Sequence, residues 1–148
     1  MEVINSIEST KLRELFIQTF VNTASDYYIN RINKLIKFSD GVCYTGYLWD
    51  CLKNPCVVSE DAINVILKNK KNIFVMWDIH SSDRILIPNY WKYPKTSILF
   101  FDDWTDDSKK TLPEDIYLFD SSFTWYAVYT HEEDISLNRY CLYWKQQT

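Results

Sequence analysis

The sequence predicts an α+β fold, with N-terminal helices packed on one face of a mainly antiparallel sheet formed by the C-terminal half. Apolar residues recur at helical spacing up to about residue 69. From Asn72 onward the pattern changes to short apolar runs rich in β-branched and aromatic residues. Turn formers separate these runs and leave short loops, which suits antiparallel neighbours. The 148 residues are most simply a single domain, 1–148, with no repeat, linker or low-complexity segment.

In chain order, residues 9–22 read as a first helix, capped by Ser9 or Thr10, with Leu12, Leu15, Phe16 and Phe20 on one stripe. Residues 26–38 read as a second, with Ser25 as cap and Tyr28, Ile32, Leu35 and Ile36 as its apolar face. Asp40-Gly41 breaks that pattern. Residues 42–52 fit either a strand or a helical stripe, and a strand is expected for the middle of them. Ser59 caps a third helix through about Asn69, with Ala62, Ile63, Ile66 and Leu67 buried. Strands are expected at 73–77, 85–87, 97–101, 116–119, 125–129 and 140–144. The clearest pair is Ile116-Tyr117-Leu118-Phe119 and Trp125-Tyr126-Ala127-Val128-Tyr129, joined by a polar turn at Asp120-Ser121-Ser122.

Composition excludes several functions. Only two glycines, Gly41 and Gly46, are present, which argues against a glycine-rich phosphate loop. A net charge of −4 disfavours nucleic acid and favours a basic protein partner. The four cysteines have irregular spacing and no C-x-x-C pair, which points to core thiols in a reduced, cytoplasmic protein. The first 30 residues show no signal-peptide pattern, and no apolar run is long enough for a membrane span. Eleven Tyr, eight Phe and six Trp supply stiff, large side chains suited to cores and interfaces.

Two groups of residues carry the candidate chemistry. Asp102-Asp103-Trp104-Thr105-Asp106-Asp107 is the densest acidic run. Its first reading is a solvated loop, and its second is a contact surface for a basic partner, with Trp104 as aromatic anchor. A cation site is the weakest reading, because the spacing lacks the calcium-loop pattern. The second group is His131-Glu132, followed by Glu133-Asp134. His131 and Glu132 point to opposite faces if both lie in a strand. Asp78, His80 and His131 could share a site if their strands are neighbours, although a hydrogen-bonded structural role is the preferred reading of each histidine. Ser81, Ser82, Ser121 and Ser122 lie in turns without a nucleophile signature. Tyr90-Trp91-Lys92-Tyr93 interleaves aromatics with a cation, but the acidic background weighs against nucleic acid.

Gly46-Tyr47-Leu48-Trp49, Ile73-Phe74-Val75-Met76-Trp77, and Asp115-Ile116-Tyr117 with Phe123-Thr124-Trp125 leading to Thr130-His131-Glu132 resemble a group of small bacterial proteins of unknown function. Those proteins close on a strand pair ending W-x-x-x-x-T-H-E, met here by Trp125, Thr130, His131 and Glu132. The size and pattern are also similar to immunity proteins of contact-dependent inhibition and related toxin systems. The resemblance spans about half of the chain and carries over no catalytic residue. It implies a binding protein rather than an enzyme, without cofactor or metal, whose partner is a cognate toxin domain. The resemblance does not extend to the Asp102 to Asp107 loop, but acidic charge makes Asp102, Asp103, Trp104, Asp106 and Asp107 the expected contacts to that partner, with Glu132, Glu133 and Asp134 as a second patch. The rival expectation is a small enzyme or metal-dependent regulator using Asp78, His80, His131 and Glu132.

Overall fold

A computed structural model describes residues 1–34, 36–38, 41–43, 45–78 and 97–147. The expected strand at 85–87 and the residues His80, Ser81, Ser82 and Tyr90-Trp91-Lys92-Tyr93 lie outside the described residues.

The fold is α+β, built on a seven-stranded antiparallel sheet. Its strands are β1 (Glu2–Val3), β4 (Cys56–Val58), β5 (Lys71–Trp77), β6 (Leu99–Asp103), β7 (Ile116–Phe119), β8 (Trp125–Glu133) and β9 (Arg139–Lys145). Their order is β1-β6-β5-β7-β8-β9-β4. A separate two-stranded ribbon pairs β2 (Ile36–Phe38) with β3 (Gly41–Cys43). The central strand β7 is buried along its whole length. That explains its unbroken apolar run, since neither of its faces meets water.

Helix α1 spans Ser6–Phe20 and begins three residues earlier than expected, because the side chain of Asn5 accepts the Glu8 N–H at 2.9 Å. Its buried face is Ser9, Arg13, Phe16 and Phe20, whereas Leu15 is 44% exposed. Phe16 packs at 5.0 Å from Phe119 and 5.7 Å from Tyr117. Helix α2 spans Glu60–Leu67, capped by Ser59 through the Ala62 N–H at 3.1 Å. It buries Ile63 and Leu67 against Val75, Leu118, Ala127 and Cys141.

The two helices therefore do not share a face of the sheet. Strand residues alternate between faces, and the two apolar clusters divide accordingly. Tyr117, Phe119, Tyr126 and Val128 belong with α1, while Ile116, Leu118, Trp125, Ala127 and Tyr129 belong with α2. A strand that is apolar on both sides needs cover on both sides, so helices on one face alone would leave half of β7 exposed.

The expected second helix is cut to a π-helical turn, Tyr28–Ile32, and its last residues pair in the β2–β3 ribbon. Residues 42–52 divide between the end of β3 and a 3-10 turn, Leu48–Cys51, in place of the expected central strand. The edge strands β1 and β4 were not foreseen. Among the described residues, no helix is long and apolar enough to cross a membrane.

Candidate functional site

Asp115 stands immediately before β7 and is 4% exposed. Its Oδ1 accepts the backbone N–H of His131 at 3.0 Å, and its carboxylate lies 2.9 Å and 3.0 Å from His131 Nδ1. Trp49 Nε1–H donates to the same Oδ1 at 3.2 Å. A buried carboxylate needs such partners, and here it has three. The register of β8 against β9 shifts between Tyr129 and Glu133, and this irregularity surrounds His131. The His131 ring lies beside Tyr47 at 5.2 Å and edge-on to Trp49 at 6.2 Å. With Nδ1 engaged, Nε2 is the ring nitrogen left for other partners.

The hydrogen bonds continue inward. Trp49 N–H donates to the Tyr117 hydroxyl at 2.9 Å, and that hydroxyl donates to Asp78 Oδ2 at 2.7 Å. Asp78 Oδ1 accepts Leu48 N–H at 3.0 Å. The 3-10 turn is thus held on two sides, by Asp78 and Tyr117 from below and by Asp115 from beside. Gly46 leads into it, and a Cβ there would stand 2.7 Å from Arg31 Cβ, so a side chain has no room.

Asp78 is fully buried and is linked to His131 through Tyr117, Trp49 and Asp115. His80, the third expected member, lies outside the described residues. Among the described residues, no group of three His, Cys, Asp or Glu could hold a metal ion.

Two further motif residues, Trp125 and Thr130, are held inside the fold. Trp125 is 2% exposed, and its Nε1–H donates to Asp120 Oδ2 at 2.8 Å. Thr130 is buried, donates to the Tyr140 carbonyl at 2.6 Å and accepts the Glu132 N–H at 3.2 Å.

The two expected acidic patches have different fates. Trp104 is 7% exposed and packs edge-on against Phe101 at 5.2 Å in the α2-side core. Its indole is buried in the cluster that also holds Ile63 and Leu67 of α2, where the sequence reading expected an exposed side chain. Asp103 pairs with Lys71 at 2.6 Å and Asp107 with Lys110 at 2.7 Å, while Asp102 and Asp106 are exposed. Glu132, Glu133 and Asp134 are exposed at the β8–β9 hairpin end. Asp134 also builds that turn, since its Oδ1 accepts the N–H groups of Ser136 and Asn138, both at 2.9 Å. The turn presents Ile135 at 103% exposure and Leu137 at 76%.

Two adjoining concavities lie beneath this tip. One of about 390 Å³ is lined by His131, Glu133, Glu114 and Thr130, the other of about 640 Å³ by Val57, Val58, Asp61 and Asp134. Glu60, Leu137 and Arg139 line both. Arg139 donates through Nε to the Thr130 carbonyl at 2.8 Å and through Nη2 to the Glu114 carbonyl, and it stacks over the Tyr129 ring at 5.2 Å. Lys109 bonds Glu60 at 3.1 Å and lies 4.3 Å from the same ring. These cations serve as a buttress, and the outer rim is acidic.

No family model matches the chain, and no curated protein or solved structure is significantly similar to it.

Proposed function

We propose that this chain is an immunity-type binding protein that neutralises a cognate toxin domain by direct contact, with a basic, nuclease-like domain as partner. The observation that carries the reading is the β8–β9 tip. Ile135 and Leu137 stand exposed on the turn that follows Glu132, Glu133 and Asp134, and Leu137 also lines the groove with Glu60, Asp61 and Arg139. An apolar pair on a braced turn, ringed by carboxylates, suits a protein partner with a basic rim and an apolar recess. Asp102 and Asp106 add to long-range steering, but Trp104 takes no part. The test is affinity capture from the host at low salt, eluted by rising salt, followed by assay of the captured domain for toxicity. One stoichiometric basic domain, neutralised by the wild type and not by a Glu132→Lys, Glu133→Lys, Leu137→Ser variant, is the expected result. A captured domain that all variants neutralise equally would sink this assignment of the surface.

A second reading rests on the Asp115–His131 pair. A histidine with one nitrogen held by a buried carboxylate is oriented to accept a proton at the other. The cavity of about 390 Å³ beside it would admit a small substrate. Chromogenic ester and phosphoester substrates test this. Turnover that His131→Gln abolishes and Glu133→Gln retains would favour the enzyme, and no turnover by the wild type would remove it.

A further inference from the structure

The hydrogen bonds around His131 fix which of its ring nitrogens is free and what that nitrogen can do. Asp115 meets Nδ1 with both carboxylate oxygens, at 3.0 Å and 2.9 Å, and also accepts the backbone N–H of His131 and the indole N–H of Trp49. An ionised carboxylate only accepts hydrogen bonds, so Nδ1 carries the proton. In the neutral ring Nε2 is then a bare acceptor. The ring is 35% exposed, and Nε2 has no partner among the described residues.

The cavity of about 390 Å³ beside the ring has its donors turned away. Arg139 lines it, but its Nε and Nη2 donate to the carbonyls of Thr130 and Glu114, and its Nη1 stands 3.9 Å from Glu60. The Thr130 hydroxyl donates to the Tyr140 carbonyl. Glu60 is matched by Lys109 at 3.1 Å. Glu133 differs from Glu60, because its exposed carboxylate has no hydrogen bond or ion pair among the described residues. Leu137, held at φ of 62° in the turn that Asp134 braces, is the apolar side chain of the lining. The unused groups of this pocket are therefore acceptors, His131 Nε2 and the Glu133 carboxylate. With Lys109 taken by Glu60, the carboxylates of Glu114, Asp115 and Glu133 outnumber the cation that faces them, Arg139.

This end of the sheet already seats cations on aromatic rings. Lys109 and Arg139 lie 4.3 Å and 5.2 Å from the centre of the Tyr129 ring. Tyr47 extends the aromatic surface at 5.2 Å from the His131 ring. A guanidinium combines charge, a flat face that stacks on rings and several N–H donors in a fixed fork.

We propose that this pocket takes an arginine side chain of the partner protein, its guanidinium donating to His131 Nε2 and to the Glu133 carboxylate. Lysine brings the charge without the planar fork and is the weaker occupant. The inference rests on the binding-protein reading above and names the residue type by which that partner is recognised.

The test is an NMR titration of the full chain, at mildly alkaline pH and low salt, with N-acetyl-arginine methylamide and with its citrulline counterpart, which has the same shape and no charge. Long-range proton–nitrogen spectra of the histidine ring read the free nitrogen directly. The expected result is a proton on Nδ1, a lone pair on Nε2 whose signal moves with the arginine compound, and shifted amides at 131–133. The citrulline compound should bind roughly tenfold more weakly, because its hydrogen bonds carry no charge. Glu133→Gln, an exposed change that leaves the Asp115–His131 bonds in place, should lower the arginine compound to about the same level. Equal binding of the two compounds, no shift at His131, or an Nε2 that carries the proton in the neutral ring overturns the proposal. Undiminished arginine binding by Glu133→Gln also overturns it. Arginine binding at His131 by a chain that neutralises no toxin would keep this inference and reject the immunity reading. A toxin domain neutralised by a chain whose His131 does not respond to the arginine compound would do the reverse.

Discussion

Asp115 holds His131 twice, through the backbone N–H at 3.0 Å and through the ring Nδ1 at 2.9 Å. One buried carboxylate therefore fixes the end of β8, and the Trp49 indole N–H ties the 3-10 turn to the same oxygen. Asp115→Ala would leave buried donors without an acceptor. Each such donor costs about 1–3 kcal/mol, so urea unfolding should show a loss of at least that size. Asp115→Asn retains one acceptor and should fall between the two. A loss below about 0.5 kcal/mol for the alanine variant would show that water replaces the carboxylate without penalty.

Asp120 carries the acid sensitivity of the β7–β8 turn. Burial raises its pKa, but the hydrogen bonds from Ser122 and Trp125 and the charge of Lys70 outweigh burial and hold the carboxyl below its ordinary value of 3.8. A depressed carboxylate stabilises the fold above its unfolded pKa and loses that contribution as pH falls through the folded value. Wild type should thus lose extra stability below about pH 4, and Asp120→Asn, weaker at pH 7, should lose less on the same descent. Parallel acid-unfolding curves for the two proteins would contradict this.

The thiols should separate by reactivity. Burial pushes Cys51 up to about 12, helped by Asp78 and Asp50, and burial pushes Cys141 up to about 11. At pH 8 their thiolate fractions are roughly a thousandth or less. Cys56 is exposed. Iodoacetamide followed by peptide mapping should find Cys56 modified before Cys51 and Cys141, which stay protected until denaturant is added. Early labelling of Cys141 would mean that β9 opens locally.

Trp104 should behave as core. Trp104→Ala removes a buried indole and should cost about 3–5 kcal/mol in urea unfolding. Asp102→Lys beside it is expected to change stability by less than about 0.5 kcal/mol. If Trp104→Ala unfolds like the wild type but binds partner less well, the indole is a surface anchor after all.

Leu137→Gly relieves a left-handed backbone at the hairpin tip while adding chain entropy to the unfolded state. The net gain should be about 0.5–1 kcal/mol by thermal or urea unfolding. The same change removes an apolar contact and should weaken partner binding. Greater stability with unchanged binding would detach the tip from function.

The sequence by itself determined the local pieces. Ser59 with its acidic first turn defined α2, the change of period after Asn72 located β5 to β9, and the apolar runs around Asp120-Ser121-Ser122 defined the β7–β8 hairpin. Each of these signals lies within a few residues of its effect, through caps, turn chemistry and side-chain period. The tertiary structure alone decided the rest. Tyr117 and Leu118 look alike in sequence, yet their opposite directions in β7 assign α1 and α2 to different faces. Trp104 resembled an exposed anchor among carboxylates until the α2-side core enclosed it. Asp115, sixteen residues from His131 and sixty-six from Trp49, met both only after β7 and β8 had paired and the 3-10 turn had docked. Strand edges and buried carboxylate partners depend on which distant segments meet. That follows from packing both faces of one sheet, which no local pattern encodes.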